Sequence, residues 1–84
     1  MLKIAICDDN PDFLDQIKTE INLWKNKPQG LIIERFTDGD SLISAHTASP
    51  FGIILLDVVM PLLNGIETAR EIRTLDKSVK VVFL

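Results

Sequence analysis

Phe51-Gly52-Ile53-Ile54-Leu55-Leu56-Asp57 decides how the rest of the chain reads, because the most apolar run in the sequence stops on a carboxylate. A short apolar run of this kind reads as a strand buried on both faces, the habit of parallel sheets covered by helices. Leu2 to Cys7 repeats the pattern, with Ile4, Ala5, Ile6 and Cys7 leading into Asp8-Asp9. Two buried strands, each delivering acid at its carboxyl end, predict a single acidic rim on the sheet.

The segments between these runs read as helices and further strands. Asn10-Pro11-Asp12 supplies an N-cap, a proline in the first turn and an acid near the helix's positive end. Leu14, Ile17, Ile21 and Trp24 follow in steps of three, four and three, with Phe13 widening the stripe, and Lys25-Asn26-Lys27 with Pro28 and Gly30 closes the helix. Leu31, Ile32, Ile33 and Phe36 predict a second strand, at a sheet edge because Glu34 and Arg35 interrupt it. Asp38-Gly39-Asp40-Ser41 opens a shorter helix that runs to Thr47 and turns Leu42, Ile43 and Ala45 to the core, and Ser49-Pro50 breaks it. Beyond Asp57, Met60-Pro61 leads to Asn64 as an N-cap and to Gly65. Ile66, Ala69, Ile72 and Leu75 at spacing three then mark a helix with Glu67, Arg70, Glu71 and Arg73 outside. Val79 to Leu84 reads as a fourth, buried strand. Strands alternating with helices in this way predict an α/β fold, a doubly wound parallel sheet with right-handed crossovers and helices on both faces.

The 84 residues suit one domain or part of one, and 46% hydrophobic with 25% charged residues is enough apolar material for a core. A net charge of -3 argues against direct contact of this segment with nucleic acid, which needs a concentrated basic surface. Cys7 is the single cysteine, so no intrachain disulfide forms. No long uncharged stretch suggests a membrane span or signal peptide, and a cytoplasmic location is the expectation.

In an open parallel sheet the carboxyl ends of the strands share one edge, where ligands bind. If the first and third strands are neighbours, their ends stand about 5 Å apart, and Asp8, Asp9 and Asp57 converge. Oxygen-only donors with clustered negative charge suit Mg²⁺, which keeps several waters and binds a few carboxylates together with phosphate oxygens. Asp57, alone at the end of its strand, is the expected nucleophile for phosphoryl transfer, and Asp8 and Asp9 the organisers of the metal.

These residues resemble the receiver domain of two-component response regulators, a flavodoxin-like fold, through Ile4-Ala5-Ile6-Cys7-Asp8-Asp9, Leu55-Leu56-Asp57-Val58-Val59-Met60-Pro61 and Asn64-Gly65. The resemblance covers residues 1–84. It implies a phospho-accepting switch, not an enzyme, that takes a phosphoryl group from a sensor histidine kinase onto Asp57. It also implies Mg²⁺ bound by Asp8, Asp9, Asp57 and the backbone carbonyl of Val59. Ile6-Cys7-Asp8-Asp9, Ile72-Arg73-Thr74-Leu75-Asp76 and Val81-Val82-Phe83-Leu84 look most like receivers attached to a LytTR-type DNA-binding domain. The parent would then be a transcription regulator that reaches DNA through an output domain outside this segment. By the same resemblance the chain reads as truncated after the fourth strand, without the fourth helix, fifth strand and fifth helix. A homodimer through the exposed fourth strand is a further expectation.

Two other classes compete. A metal-dependent phosphatase or phosphotransferase also places a nucleophilic aspartate at a strand end, although usually after the first strand. A non-phosphorylated receiver-like interaction module is the other, and the intact acid set counts against it. His46 reads as an exposed helix residue, Cys7 as a small core residue with a redox role as its alternative, and Trp24 and Phe13 as packing residues of the first helix.

Overall fold

Along β1 (Lys3–Cys7) successive side chains leave the sheet on opposite faces, so a strand apolar from Ile4 to Cys7 needs cover on both. In the computed structural model, which describes residues 2–59 and 64–84, Ile4 and Ile6 join Leu14 and Ile21 in one cluster. Ala5 and Cys7 join Leu42, Phe51, Ile54, Leu56, Ile72 and Val79 in another. The first cluster lies under α1 (Pro11–Asn22) and the second under α2 (Gly39–Ala48) and α3 (Gly65–Leu75). The expected double winding is therefore present.

The sheet is four-stranded and parallel, in the order β2 (Ile32–Phe36), β1, β3 (Ile53–Leu56), β4 (Lys80–Phe83). The strand interrupted by Glu34 and Arg35 takes an edge, as its charges predict, and Arg35 pairs with Asp15 of α1. Each helix begins as its sequence requires. Asn10, Asp38 and Asn64 are N-caps whose side-chain oxygens accept main-chain N–H groups of the first turn, with Pro11 at the head of α1. Gly30, at φ 77°, occupies the left-handed position of the turn in which the Leu31 N–H donates to the Pro28 carbonyl at 3.3 Å.

Four expectations are corrected. Trp24 does not pack on the first helix: α1 ends at Asn22, the Leu23 N–H reaches back to the carbonyls of Thr19 and Glu20, and Trp24 stands half exposed. Of the stripe expected on α3, Ala69 and Ile72 pack on the core and Ile66 and Leu75 do not. Residues at strict spacing three drift about 60° per step around a helix of 3.6 residues per turn, so Ile66 and Leu75 are exposed, while Gly65, Thr68 and Ile72 are buried. β4 is not buried on both faces either: Val81 packs against the core cluster under α2 and α3, whereas Val82 and Phe83 are exposed on a strand that no described strand flanks on its outer edge.

The fourth correction concerns His46, which is buried at 2% exposure. Its Nδ1 accepts the Phe51 N–H at 3.0 Å, so the ring proton sits on Nε2 and is donated to Asp76 Oδ2 at 2.9 Å. Asp76 caps α3 and accepts, on its other oxygen, the Ser78 N–H and hydroxyl and the Val79 N–H. One imidazole thus ties the end of α2 to the entry of β3 and the exit of α3, at the rim of the sheet opposite the carboxyl ends. Helical spacing did not reveal it because the partners lie outside the helix.

Replacing His46 with Leu leaves the Phe51 N–H without its acceptor and is expected to cost about 1–3 kcal/mol, read as a lower urea midpoint. The bonds from Ser78, first the N–H and then the hydroxyl, with help from His46 and Val79, hold the Asp76 carboxyl down at about 2, below its ordinary 3.8. A lowered carboxylate stabilises the folded chain above its ordinary value, and that contribution is lost as pH falls through about 2. Asp76→Asn should therefore flatten the acid limb of the stability curve between those values, measured by urea unfolding at stepped pH.

Candidate functional site

The register Ile4↔Ile53 through Cys7↔Leu56 ends β1 and β3 side by side, so the residues that follow leave the sheet together. The ladder continues one bond further on each side of β1. The Asp57 N–H donates to the Cys7 carbonyl at 2.9 Å and the Asp8 N–H to the Phe36 carbonyl at 3.0 Å. Carboxylate oxygens of Asp8, Asp9 and Asp57 then all lie within 4.8 Å of one another. The acidic rim expected from the two strand ends is present, with the three residues in one cluster.

Their surroundings differ. Asp8 is buried, Asp57 half-buried and Asp9 exposed. The Asp8 Oδ1 accepts the Asn10 N–H at 2.9 Å, immediately before α1. Burial pushes the Asp8 carboxyl above the usual range; Asn10 acts against this, and the Asp57 and Asp9 carboxylates add to it. Asp57 Oδ1 accepts the Val59 N–H at 3.3 Å, which folds the chain back over the acid, and the Val59 side chain points to solvent at 78% exposure. The Gly65 N–H donates to the Val58 carbonyl at 3.0 Å and ties this loop to the start of α3. Met60 and Pro61 of the sequence motif lie outside the described residues.

The donor set fits a hard divalent cation. It is all oxygen, crowded, and carries negative charge that the described residues do not offset with an ion pair at the rim. Asp57 is accessible enough to meet a second reactant, whereas Asp8 is enclosed. Cys7 is poorly suited to nucleophilic chemistry: it is buried, its sulfur lies 3.5 Å from the Asp38 carbonyl, and burial and then Asp38, Asp8 and Asp57 push its thiol up to about 12. His46, at the other rim, is not part of the site.

The family model for the response regulator receiver domain matches residues 4–84. The chain belongs to this family. The response regulator receiver protein CpdR of Brucella abortus is 34% identical over 55 residues, which are 66% of this chain and 46% of that protein. The CpxR transcriptional regulatory protein homolog of Haemophilus influenzae is 34% identical over 73 residues, 87% of this chain and 30% of that protein. This receiver chain thus spans less than half the length of these curated relatives. Among solved structures, a two-component transcriptional regulator AraC from Clostridium phytofermentans matches with a TM-score of 0.88 and 32% identity, over 99% of this chain and 65% of that one. A chain of the complex between the histidine kinase ThkA and the response regulator protein TrrA matches with a TM-score of 0.84 and 26% identity, over 99% of this chain and 67% of that one. The parallel sheet with helices on both faces is the flavodoxin-like receiver fold; receiver domains bind Mg²⁺ in an acidic pocket, and this chain carries a cluster of three aspartates.

Asp8→Asn tests the electrostatics directly, because the amide keeps an acceptor for the Asn10 N–H and removes a buried charge from beside two others. Without added metal the variant is expected to be more stable at neutral pH, by on the order of 1 kcal/mol. Mg²⁺ that binds only the folded state is expected to raise the urea midpoint of the wild type, and the variant is expected to lose that rise. A variant that is less stable without metal, or equally stabilised by it, contradicts this account.

Proposed function

We propose that this receiver is a phospho-accepting switch of a two-component system, in which Asp57 takes a phosphoryl group from a histidine of a sensor kinase. The single observation that carries the reading is the cluster of Asp8, Asp9 and Asp57 at the carboxyl ends of neighbouring strands, in a chain of the receiver family. Asp8, Asp9, Asp57 and the Val59 carbonyl would hold Mg²⁺. When bound, the ion offsets charge on the phosphoryl oxygens.

The chain's own residues account for the rest. A carboxylate oxygen of Asp57 forms the new bond to phosphorus, the bond from phosphorus to the kinase imidazole breaks, and the product is an acyl phosphate on Asp57. The half-buried setting of Asp57 leaves it open to a donor, and the Val59 N–H orients the carboxylate. Asp8, enclosed and bonded to Asn10, is better suited to ligation than to attack. This is the role of a phosphoacceptor that assists its own modification, not of an enzyme that turns over.

The solved complex of ThkA with TrrA supports a histidine kinase as partner. The transcriptional regulators among the relatives support a DNA-binding output in a longer parent, of the LytTR type by the sequence resemblance. A cytoplasmic location fits this role, and no helix among the described residues is long and apolar enough to cross a membrane.

Treating the full-length parent with a small acyl phosphate and Mg²⁺ should add one phosphoryl group, seen by intact mass, and Asp57→Asn should abolish the addition. Equal labelling of the variant would refute Asp57 as the acceptor. Continuous release of phosphate from many monoesters would favour a phosphatase instead.

A further inference from the structure

Gly65 begins α3, and the glycine with a positive φ is Gly30, so what Gly65 contributes is space rather than backbone freedom. A Cβ built on it would overlap the carbonyl oxygen of Asp57 and lie 2.7 Å from that carbonyl's carbon and 2.8 Å from the Val58 Cα. All three are backbone atoms, so no side chain can rotate away to make room. Gly52 provides the contrast, since a Cβ there would meet first the tip of the Leu2 side chain, at 3.0 Å, which can move. The contact at Gly65 is also bonded, through its N–H to the Val58 carbonyl at 3.0 Å.

We propose that Gly65 is a positioning residue for the acid site: its missing side chain lets the first turn of α3 close on the backbone of Asp57 and Val58, and that contact sets where Asp57 and Val59 stand. The inference rests on the reading of Asp8, Asp9 and Asp57 as a cation site. Moving the Asp57 carbonyl outward turns the peptide between Asp57 and Val58, and with it the next peptide. That second peptide carries the Val59 N–H bonded to Asp57 Oδ1. A single methyl group at position 65 therefore displaces one proposed ligand residue directly and a second through the chain, while Asp8 and Asp9, which follow a different strand, are not in that path.

The test uses Mg²⁺ alone as probe and follows backbone amides by NMR during titration. In the wild type the Gly65 amide should shift in step with that of Val59 as Mg²⁺ is added. Gly65→Ala should weaken Mg²⁺ binding roughly tenfold or more, whereas Ile72→Val, a core change in the same helix away from the loop, should leave the affinity within about twofold. If Gly65→Ala binds as tightly as the wild type, the positioning role is overturned while the metal site stands. If the alanine variant fails to fold, the wild-type titration still decides, since a Gly65 amide that stays still while Val59 shifts overturns the proposal. A wild type whose amides at Asp8, Asp9 and Asp57 ignore Mg²⁺ overturns the cation site and the positioning role together.

Discussion

β1 is hydrogen-bonded on both edges and covered on both faces, and that double enclosure governs the other features of the molecule. Its enclosed stretch, Ile4 to Cys7, carries no charge, because a buried charge without a partner is too costly, and Lys3 at the strand's entry reaches out to Ser49. Acid can appear only where the strand leaves the sheet. The parallel ladder then makes neighbouring strands leave on the same side, so Asp8 and Asp57 meet although they are far apart in sequence. Convergence of the carboxylates is thus a consequence of burying apolar strands side by side.

The two rims of the sheet do different work. At the amino end of β3, His46, Asp76 and Ser78 satisfy one another and the main chain, and the buried imidazole has both nitrogens engaged. At the carboxyl end the polar groups are left in conflict. Asp8 is enclosed, faces two other carboxylates, and has its carboxyl pushed upward by burial and by those charges. A network whose members answer each other stabilises a fold; a cluster of like charges held by the scaffold stores a preference for a cation. The stable rim holds the helices against the sheet, and the strained rim is where chemistry can occur.

Much of this was legible in the residues. The alternation of strands and helices, the N-caps Asn10 and Asn64, and the edge position of the strand bearing Glu34 and Arg35 all rest on local signals, whereas the neighbourhood of the first and third strands was a condition that the tertiary structure met. Elsewhere, local pattern misled. A spacing of three looked like one face of α3 but winds around it, and Trp24 continued a stripe past the residue where the helix ends.

The sequence by itself determined the element types and which carboxylates reach the rim, because apolar runs, caps and strand ends act over a few residues and leave little choice. Only the tertiary structure decided that His46 is a buried staple to Asp76, that β4 is half open, and that the start of α3 rests on the Asp57 carbonyl. Each of these depends on what a distant segment places opposite the residue. A histidine has the same local spacing whether it faces water or a carboxylate thirty residues away. A glycine that opens a helix likewise reveals its purpose only when the backbone it must clear has been brought beside it.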